Sequence, residues 1–266
     1  MSETVEADDD FEALRAVQER KRLELGIPAT TKAPPSLEAI VSRAGRVWER
    51  PNAAAIEARA RDASEAEAKR AAERAALAEA RRQRAIDRAL ESVDEAFRWA
   101  TVGSLGARPR TVNAAKLGCE NLDRGAVLVT LAGPSGVGKT TVAAALYRRA
   151  VEAMDAPDGE WIAASEIVHR ARLAAMRREP FELLERCLEA GVLVLDDLGQ
   201  EPGGEWKRDI IHLIQRRHAR RQITIVTTFL AAPRHGEPCD AVDRYGDGVA
   251  RRLFEDESLI RFRGDS

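Results

Sequence analysis

The sequence predicts an α/β fold, a three-layer arrangement with a parallel sheet between helices, preceded by a mostly helical N-terminal region. Three observations carry this. From residue 100 onward, short apolar runs, VLVTLA (127–132), VLVLD (192–196) and ITIVTTF (223–229), alternate with segments of helical periodicity. Runs without polar alternation suit strands buried on both faces, as in a parallel sheet covered by helices. The first run leads directly into a glycine-rich loop and then a helix, the local order of a phosphate-binding unit. Finally, residues 53–98 contain no Gly or Pro and are dominated by Ala, Glu and Arg, all strong helix formers.

Residues 1–52 read as a flexible region with short helices. FEALRAVQERKRLEL (11–25) has a helical pattern ended by Gly26 and Pro28, and TTKAPPS (30–36) is a linker signal. Leu37, Ile40, Val41, Val47 and Trp48 suggest a second small amphipathic helix, stopped by Pro51. Residues 53–98 form the next region, a long charged helix. Between Ala58 and Ala76 no apolar residue is larger than Ala, so this part buries little and is expected to be solvated and laced by Glu–Arg pairs. Further on come Leu77, Ile86, Leu90, Val93 and Phe97. The last four, at spacings of 4, 3 and 4, make one apolar stripe for a partner or for the following domain. A partner-binding arm and a plain charged spacer both fit.

Residues 99–266 form the third region. Its strands are the three runs above, EWIAA (160–164), and LIRFR (259–263) as a last edge strand. Its helices are TTVAAALYRRAVEAM (140–154), SEIVHRARLAAMRR (165–178), FELLERCLEA (181–190) and EWKRDIIHLIQRRHARR (205–221), the last with Trp206, Ile210, Leu213 and Ile214 inward. VDRYGDGVARRLFE (242–255) contains one more helix.

Charge and composition exclude several classes. Lys and Arg total 42 against 44 Asp and Glu, so no global basic excess announces nucleic acid, although local patches remain. The acidic start, MSETVEADDD, argues against a secretory signal or transit peptide, and no stretch approaches the roughly 20 apolar residues that span a bilayer. Cys119, Cys187 and Cys239 are odd in number and widely spaced, with no CxxC and no histidine at metal spacing. Reduced thiols in a cytoplasmic protein are expected, without zinc.

Gly133–Thr140 reads GPSGVGKT, a full match to G-x-x-x-x-G-K-[ST]. Gly133, Gly136 and Gly138, with Pro134, Ser135 and Val137 between them, let backbone amides converge on phosphates. Lys139 is a flexible point charge for the β- and γ-phosphates. The Thr140 hydroxyl is placed to ligate Mg²⁺, Thr141 follows it, and the helix aims its positive end at the anion. A chance match in this composition has odds of roughly 1 in 500. VLVLDD (192–197) supplies the other half. A buried strand ends in two acids at the carboxyl edge of the sheet, where ligands of α/β sheets sit. There Asp196 would hold the Mg²⁺ shell and Asp197 would orient or deprotonate an attacking water. The expected cofactors are ATP and Mg²⁺.

GPSGVGKT, VLVLDDLGQEP, the helix ending RRHARRQ and ITIVTTFL together resemble the AAA+ ATPases of the DnaC/IstB group, bacterial replicative helicase loaders and transposition helper ATPases. The segment Leu193–Glu201 looks like that family's hydrophobics-DDLG-x-E motif, and AFRWATVGSL (96–105) looks like its lead-in to the first strand. The resemblance covers about residues 95–266 and implies a P-loop AAA+ core. The chain stops soon after LIRFR, so the resemblance also implies no C-terminal helical lid. It implies binding of ATP and Mg²⁺, slow hydrolysis stimulated by DNA or a partner, and ATP-dependent homo-oligomers. The implied partners are a replicative helicase or a transposase, reached through the N-terminal region, and single-stranded DNA, bound weakly by the monomer. Two positions depart from the family pattern. Phe229 stands where a polar residue usually senses the γ-phosphate, with Thr227 and Thr228 before it, and Thr228 is the residue taken here for that role. In GVARRL, Gly248 takes the first of two arginine positions and Arg252 keeps the second, the one that reaches a neighbour's ATP, with Arg251 in reserve.

Arg216, Arg217, Arg220 and Arg221 cluster at one helix end, and Arg170, Arg172, Arg177 and Arg178 form a second group. Both suit nucleic acid only modestly, because no aromatic interleaves them for base stacking. The leading reading is an ATP-dependent replication accessory protein acting on a helicase. The alternatives are a transposition helper, a small-molecule P-loop kinase, and a partner-binding protein with a degenerate ATPase.

Overall fold

The computed structural model describes residues 20–21, 53–106, 109–202, 207–230, 240–255 and 259–263. The helical patterns at 11–25 and 37–48, apart from residues 20–21, lie outside the described residues, as do Trp206 and Cys239. The chain divides into two compact units, Met1–Arg70 and Ala71–Ser266. In the first, residues 53–70 are helical and almost wholly exposed, including Ile56. They belong to α1 (Ala53–Glu91), whose Ala-rich surface offers little to bury.

In the second unit, α1 ends with Ile86 and Ala89 buried, Val93 buried just beyond it, and Leu90 and Phe97 half-buried against the same cluster, whereas Leu77 stays exposed. Arg98 turns back over this end and donates from Nε to the Val93 carbonyl and from Nη2 to that of Glu91, both at 2.8 Å. Carbonyls left open at a helix terminus are thereby satisfied. The chain continues through a 3-10 turn, Glu95–Phe97, into α2 (Pro109–Asp123).

The sheet has five parallel strands: β1 (Leu128–Ala132), β2 (Gly159–Ala163), β3 (Val192–Leu198), β4 (Ile223–Thr228) and β5 (Leu259–Arg261). They lie in the order β2-β3-β4-β1-β5. The helices between them are α3 (Lys139–Glu152), α4 (Ala164–Arg177), α5 (Glu182–Glu189), α6 (Lys207–Ala219), α7 (Asp240–Tyr245) and α8 (Asp247–Leu253). The segment expected to hold one late helix thus holds two, divided at Gly246, whose φ of 83° a side chain would resist.

Strand alternation divides the core. Val192 and Val194 of β3 face α2, α3 and the end of α1, while Leu193 and Leu195 face α4, α5, α6, α7 and α8. Both faces are covered, which is why the strands read as unbroken apolar runs. On the first side, the buried Tyr147 of α3 donates to the Ala89 carbonyl at 3.0 Å and meets Trp161 edge-on, with centroids 5.9 Å apart. No described helix is long and apolar enough to cross a membrane.

Arg217 is a correction to the sequence reading. It belongs to no surface patch. Fully buried on α6, it donates to Thr224 Oγ1 (3.0 Å) and to the carbonyls of Cys187 (2.8 Å), Ala190 (2.6 Å) and Ile223 (2.7 Å). Two of these carbonyls are at the C-terminus of α5, the negative end of its dipole. Arg216, Arg220 and Arg221 remain exposed.

Candidate nucleotide site

The loop Gly133–Gly138 joins β1 to α3 at the carboxyl edge of the sheet. Its first residue is tied down, because the Gly133 amide donates to the Thr228 carbonyl of β4 at 3.1 Å. A Cβ at Gly133 would lie 2.5 Å from the Phe262 carbonyl oxygen, so only glycine lets the chain leaving β5 cross here. Gly138, immediately before α3, has φ 95°, a left-handed conformation that turns the loop into the helix. Pro134, Ser135 and Gly136 are exposed at the rim, Val137 is half-buried, and Thr141 is half-buried in the first turn of α3.

Lys139 is only 7% exposed, and its Nζ donates to the Pro134 carbonyl at 2.8 Å, inside the loop. Burial pushes its amine below the usual lysine value, and the carboxylates of Asp197 and Asp196 partly restore it. The lysine charge therefore sits between the loop and the acids.

The acids occupy an irregular end of β3. Leu195 pairs with Val226 and Leu198 with Thr228, so three steps along β3 oppose two along β4. This is a bulge, which re-aims the side chains it contains. Asp197 takes it up with φ 53°, rare for a residue bearing a side chain. One hydroxyl organises both acids: Thr227 Oγ1 accepts the Asp197 amide at 2.8 Å and donates to Asp196 Oδ1 at 2.5 Å. Thr140 Oγ1 lies 3.4 Å from the same Oδ1. Burial raises the Asp196 carboxyl above the ordinary aspartate range, opposed chiefly by the Thr227 hydrogen bond.

Thr228, taken from the sequence as the sensing residue, points elsewhere. Its hydroxyl is buried, donates to the Leu198 carbonyl at 2.7 Å and accepts the Leu230 amide at 3.1 Å. Adjacent strand residues face opposite sides, so only one of the two threonines can meet the acids. Phe229 lies beyond β4, 44% exposed. Arg252 is half-buried on α8 with Nη1 donating to the Gly248 carbonyl at 2.7 Å. No hydrogen bond or ion pair among the described residues joins it to the loop or to the acids. Arg251 is exposed.

Beside the loop opens a cavity of about 1260 Å³, walled by Pro134–Val137, by Pro109, Arg110 and Thr111 of α2, and by Phe262 and Arg263 after β5. An amide-lined loop at a helix N-terminus, a lysine and two carboxylates can together hold a polyphosphate with a divalent cation. Thr140 and Asp196 present hard oxygen donors close together, which suits Mg²⁺.

Sequence reasoning placed the loop and both acids at this edge but did not single out Thr227. The alternation of the strand was a usable signal, because it requires one threonine to face Asp196; which one depends on the register that pairs Leu195 with Val226. It also passed over the contacts of Glu201, whose carboxylate is buried against Arg244 and Tyr245. No local spacing connects residues so far apart.

Residues 64–236 match the family described as IstB-like ATP binding protein. In three dimensions the chain is similar to the DnaC helicase loader, with a TM-score of 0.52 and 23% identity over 63% of this chain and 99% of that one. It is also similar to DnaA from Aquifex aeolicus bound to AMPPCP, with a TM-score of 0.50 and 16% identity over 64% of this chain and 50% of that one. A replication initiator DnaA bound to AMPPCP and single-stranded DNA gives 0.51 and 17%, over 65% and 51%. No curated protein matches. A phosphate loop, a bulged acid pair and a β2-β3-β4-β1-β5 parallel sheet thus coincide with a family match over most of the sequence, and the chain belongs to the IstB-like ATP-binding proteins, with an AAA+ fold of the DnaC/IstB group.

Proposed function

We propose that this protein is an ATP- and Mg²⁺-dependent DNA replication accessory ATPase, a helicase-loader-like switch that self-associates and acts on a replicative helicase and single-stranded DNA in the cytoplasm. One observation carries the reading: Thr227 and Thr140 gather Asp196 and Asp197 opposite the GPSGVGKT loop and its buried lysine. In this reading the backbone of Gly133–Gly138 cradles the phosphates and Lys139 neutralises them. The adjoining cavity between α2 and the end of β5 receives the nucleoside. Thr140 and Asp196 hold Mg²⁺, which supplies charge neutralisation on the phosphates. Asp197 orients the attacking water and takes its proton, and Thr227 fixes both acids. Arg252 acts on a neighbouring subunit's nucleotide. Residues 1–52 and 53–98 provide partner contacts, and 99–266 the nucleotide machinery.

A transposase as the partner is the second reading, favoured by the IstB-like family match. Binding of a fluorescent ATP analogue tests the shared core. Lys139→Ala should weaken it by more than about tenfold, roughly 1.4 kcal/mol, and unchanged affinity sinks the assignment. Pull-down of full-length protein and of a variant lacking residues 1–70, which keeps the buried end of α1 on the core, separates the partners. Helicase recovered only with the full chain, with ATPase stimulation by single strands, supports the first reading. Transposase recovered with stimulation by duplex supports the second.

A further inference from the structure

Glu201 stands at the end of the turn that leaves the acid pair, and it is 1% exposed. Its carboxylate is fully engaged. Oε2 accepts the Gly199 amide at 2.8 Å, and Oε1 accepts Arg244 Nε at 2.9 Å and the Tyr245 hydroxyl. Arg244 Nη2 also donates to the Glu201 main-chain carbonyl. Arg244 and Tyr245 are the last two residues of α7, and a single residue, Gly246, separates them from α8 and its Arg251 and Arg252.

The turn itself is short and bent. Asp197 has φ 53° and Gly199 φ 106°, and the Gln200 amide donates to the Asp197 carbonyl at 3.1 Å. Its near end is fixed to β4, where Thr227 accepts the Asp197 amide. Its far end is fixed to α7 through Glu201. A buried carboxylate whose partners are a guanidinium, a phenol and an amide is costly to separate from them, since the carboxylate and the buried Tyr245 hydroxyl would be left unpaired in a dry site, although the half-buried Arg244 could turn to water. The turn and α7 therefore move together. Gly199 lies inside the clamped turn, held by Glu201, and Gly246 with φ 83° makes the sharp join between α7 and α8.

We propose that Glu201 is a positioning residue that clamps the Asp197–Glu201 turn to α7, so that occupancy of the acid pair is transmitted to the α7–α8 helices bearing Arg251 and Arg252. The proposal rests on the nucleotide reading given above and adds to it a physical route from the phosphates to a second surface. Such a link is reciprocal: whatever holds α8 also biases the acid turn.

The test is amide hydrogen exchange on the full chain, with and without a non-hydrolysable ATP analogue and Mg²⁺, in wild type, Glu201→Gln and Tyr245→Phe. In wild type the analogue should slow exchange across residues 240–253. Glu201→Gln should bind the analogue within about threefold of wild type yet lose most of that slowing, about tenfold at the responsive amides, in the range typical of coupling energies. Its kcat should fall while its analogue affinity holds. Tyr245→Phe removes one hydroxyl and leaves the ring packed. It should show a partial loss, and it decides the matter if Glu201→Gln fails to fold. Wild-type slowing in a folded Glu201→Gln or in Tyr245→Phe, with the analogue bound, overturns the clamp. So does a wild type that binds the analogue without any response in 240–253. A wild type that binds no analogue overturns the nucleotide reading itself, and the clamp's link to nucleotide falls with it.

Discussion

At Thr227 one oxygen serves two acids, and the consequences of removing it are unequal. Thr227→Val keeps the shape and deletes the hydroxyl, leaving the Asp197 amide without its acceptor. Stranding a buried donor costs about 1–3 kcal/mol. The expected outcome is ATP turnover lowered by about tenfold or more with analogue binding retained, and Thr227→Ser should restore most of it in a steady-state phosphate-release assay. Asp196 makes a second prediction at this scale. Burial raises its folded-state pKa above the ordinary aspartate value of about 4. The fold thus holds that proton more tightly than the unfolded chain does. The stability this contributes is present below the ordinary value and is lost as pH rises through the raised one. Near neutral pH the bare carboxylate therefore opposes folding. Asp196→Asn should raise the melting temperature of the metal-free protein, while abolishing Mg²⁺-dependent ATPase activity. In the unaltered protein, Mg²⁺ affinity should weaken as pH falls toward the raised pKa, at a higher pH than an exposed aspartate would require. A titration of Mg²⁺-dependent analogue binding against pH measures this directly.

At the scale of elements, α6 shows how a run of arginines can contain two kinds of residue. Arg217 ties α6 to the end of α5 and to β4 with four hydrogen bonds. Burial pushes its guanidinium down to about 10, and a side chain held so far from water is there for the carbonyls it satisfies. Arg217→Leu should destabilise the protein by about 3 kcal/mol, through several unsatisfied buried carbonyls. Arg216→Ala, on the same helix but exposed, should change stability by less than about 0.5 kcal/mol. Urea unfolding midpoints of the two variants check the contrast. Arg216, Arg220 and Arg221 stay exposed at the end of the same helix. The join between β1 and its loop is equally specific. A methyl at Gly133 meets the Phe262 backbone, so Gly133→Ala should displace β5 and lower both melting temperature and analogue affinity. A variant indistinguishable from wild type in both measurements contradicts that packing.

For the whole molecule, the proposed switch makes assembly a nucleotide-dependent property. Arg252 rests on its own helix, so its proposed target is the nucleotide of a second copy, where an arginine stabilises charge in phosphoryl transfer. ATP with Mg²⁺ should promote oligomers or helicase-bound assemblies in light scattering, and ADP should not. Arg252→Ala and Lys139→Ala, each inactive alone, should recover part of the activity when mixed, because each supplies what the other lacks at a shared interface. No recovery, with Arg252→Ala as active as wild type, leaves Arg252 as a surface residue and favours a protein that uses nucleotide only as a structural ligand.

Much of the site was legible in the sequence for a local reason. The phosphate loop is one continuous segment whose glycines, lysine and threonine have roles set by backbone geometry within eight residues. The strands were legible because burial on both faces leaves an unbroken apolar run, and Asp196 and Asp197 because acids at the end of such a run mark a sheet edge. What the tertiary structure decided is non-local. Placing β4 between β1 and β3, in the register that pairs Leu195 with Val226, set Thr227 beside Asp196, and the one-residue bulge brought the Asp197 amide to the same hydroxyl. Arg217 became interior because α5 and β4 bring open carbonyls to it, and Glu201 became a clamp because α7 returns Arg244 from 43 residues away. Side-chain type and spacing along the chain determine what a segment can form. Which partner a buried polar group meets depends on how distant segments pack, because in the dry interior each group must pair with whatever the fold brings within hydrogen-bond distance.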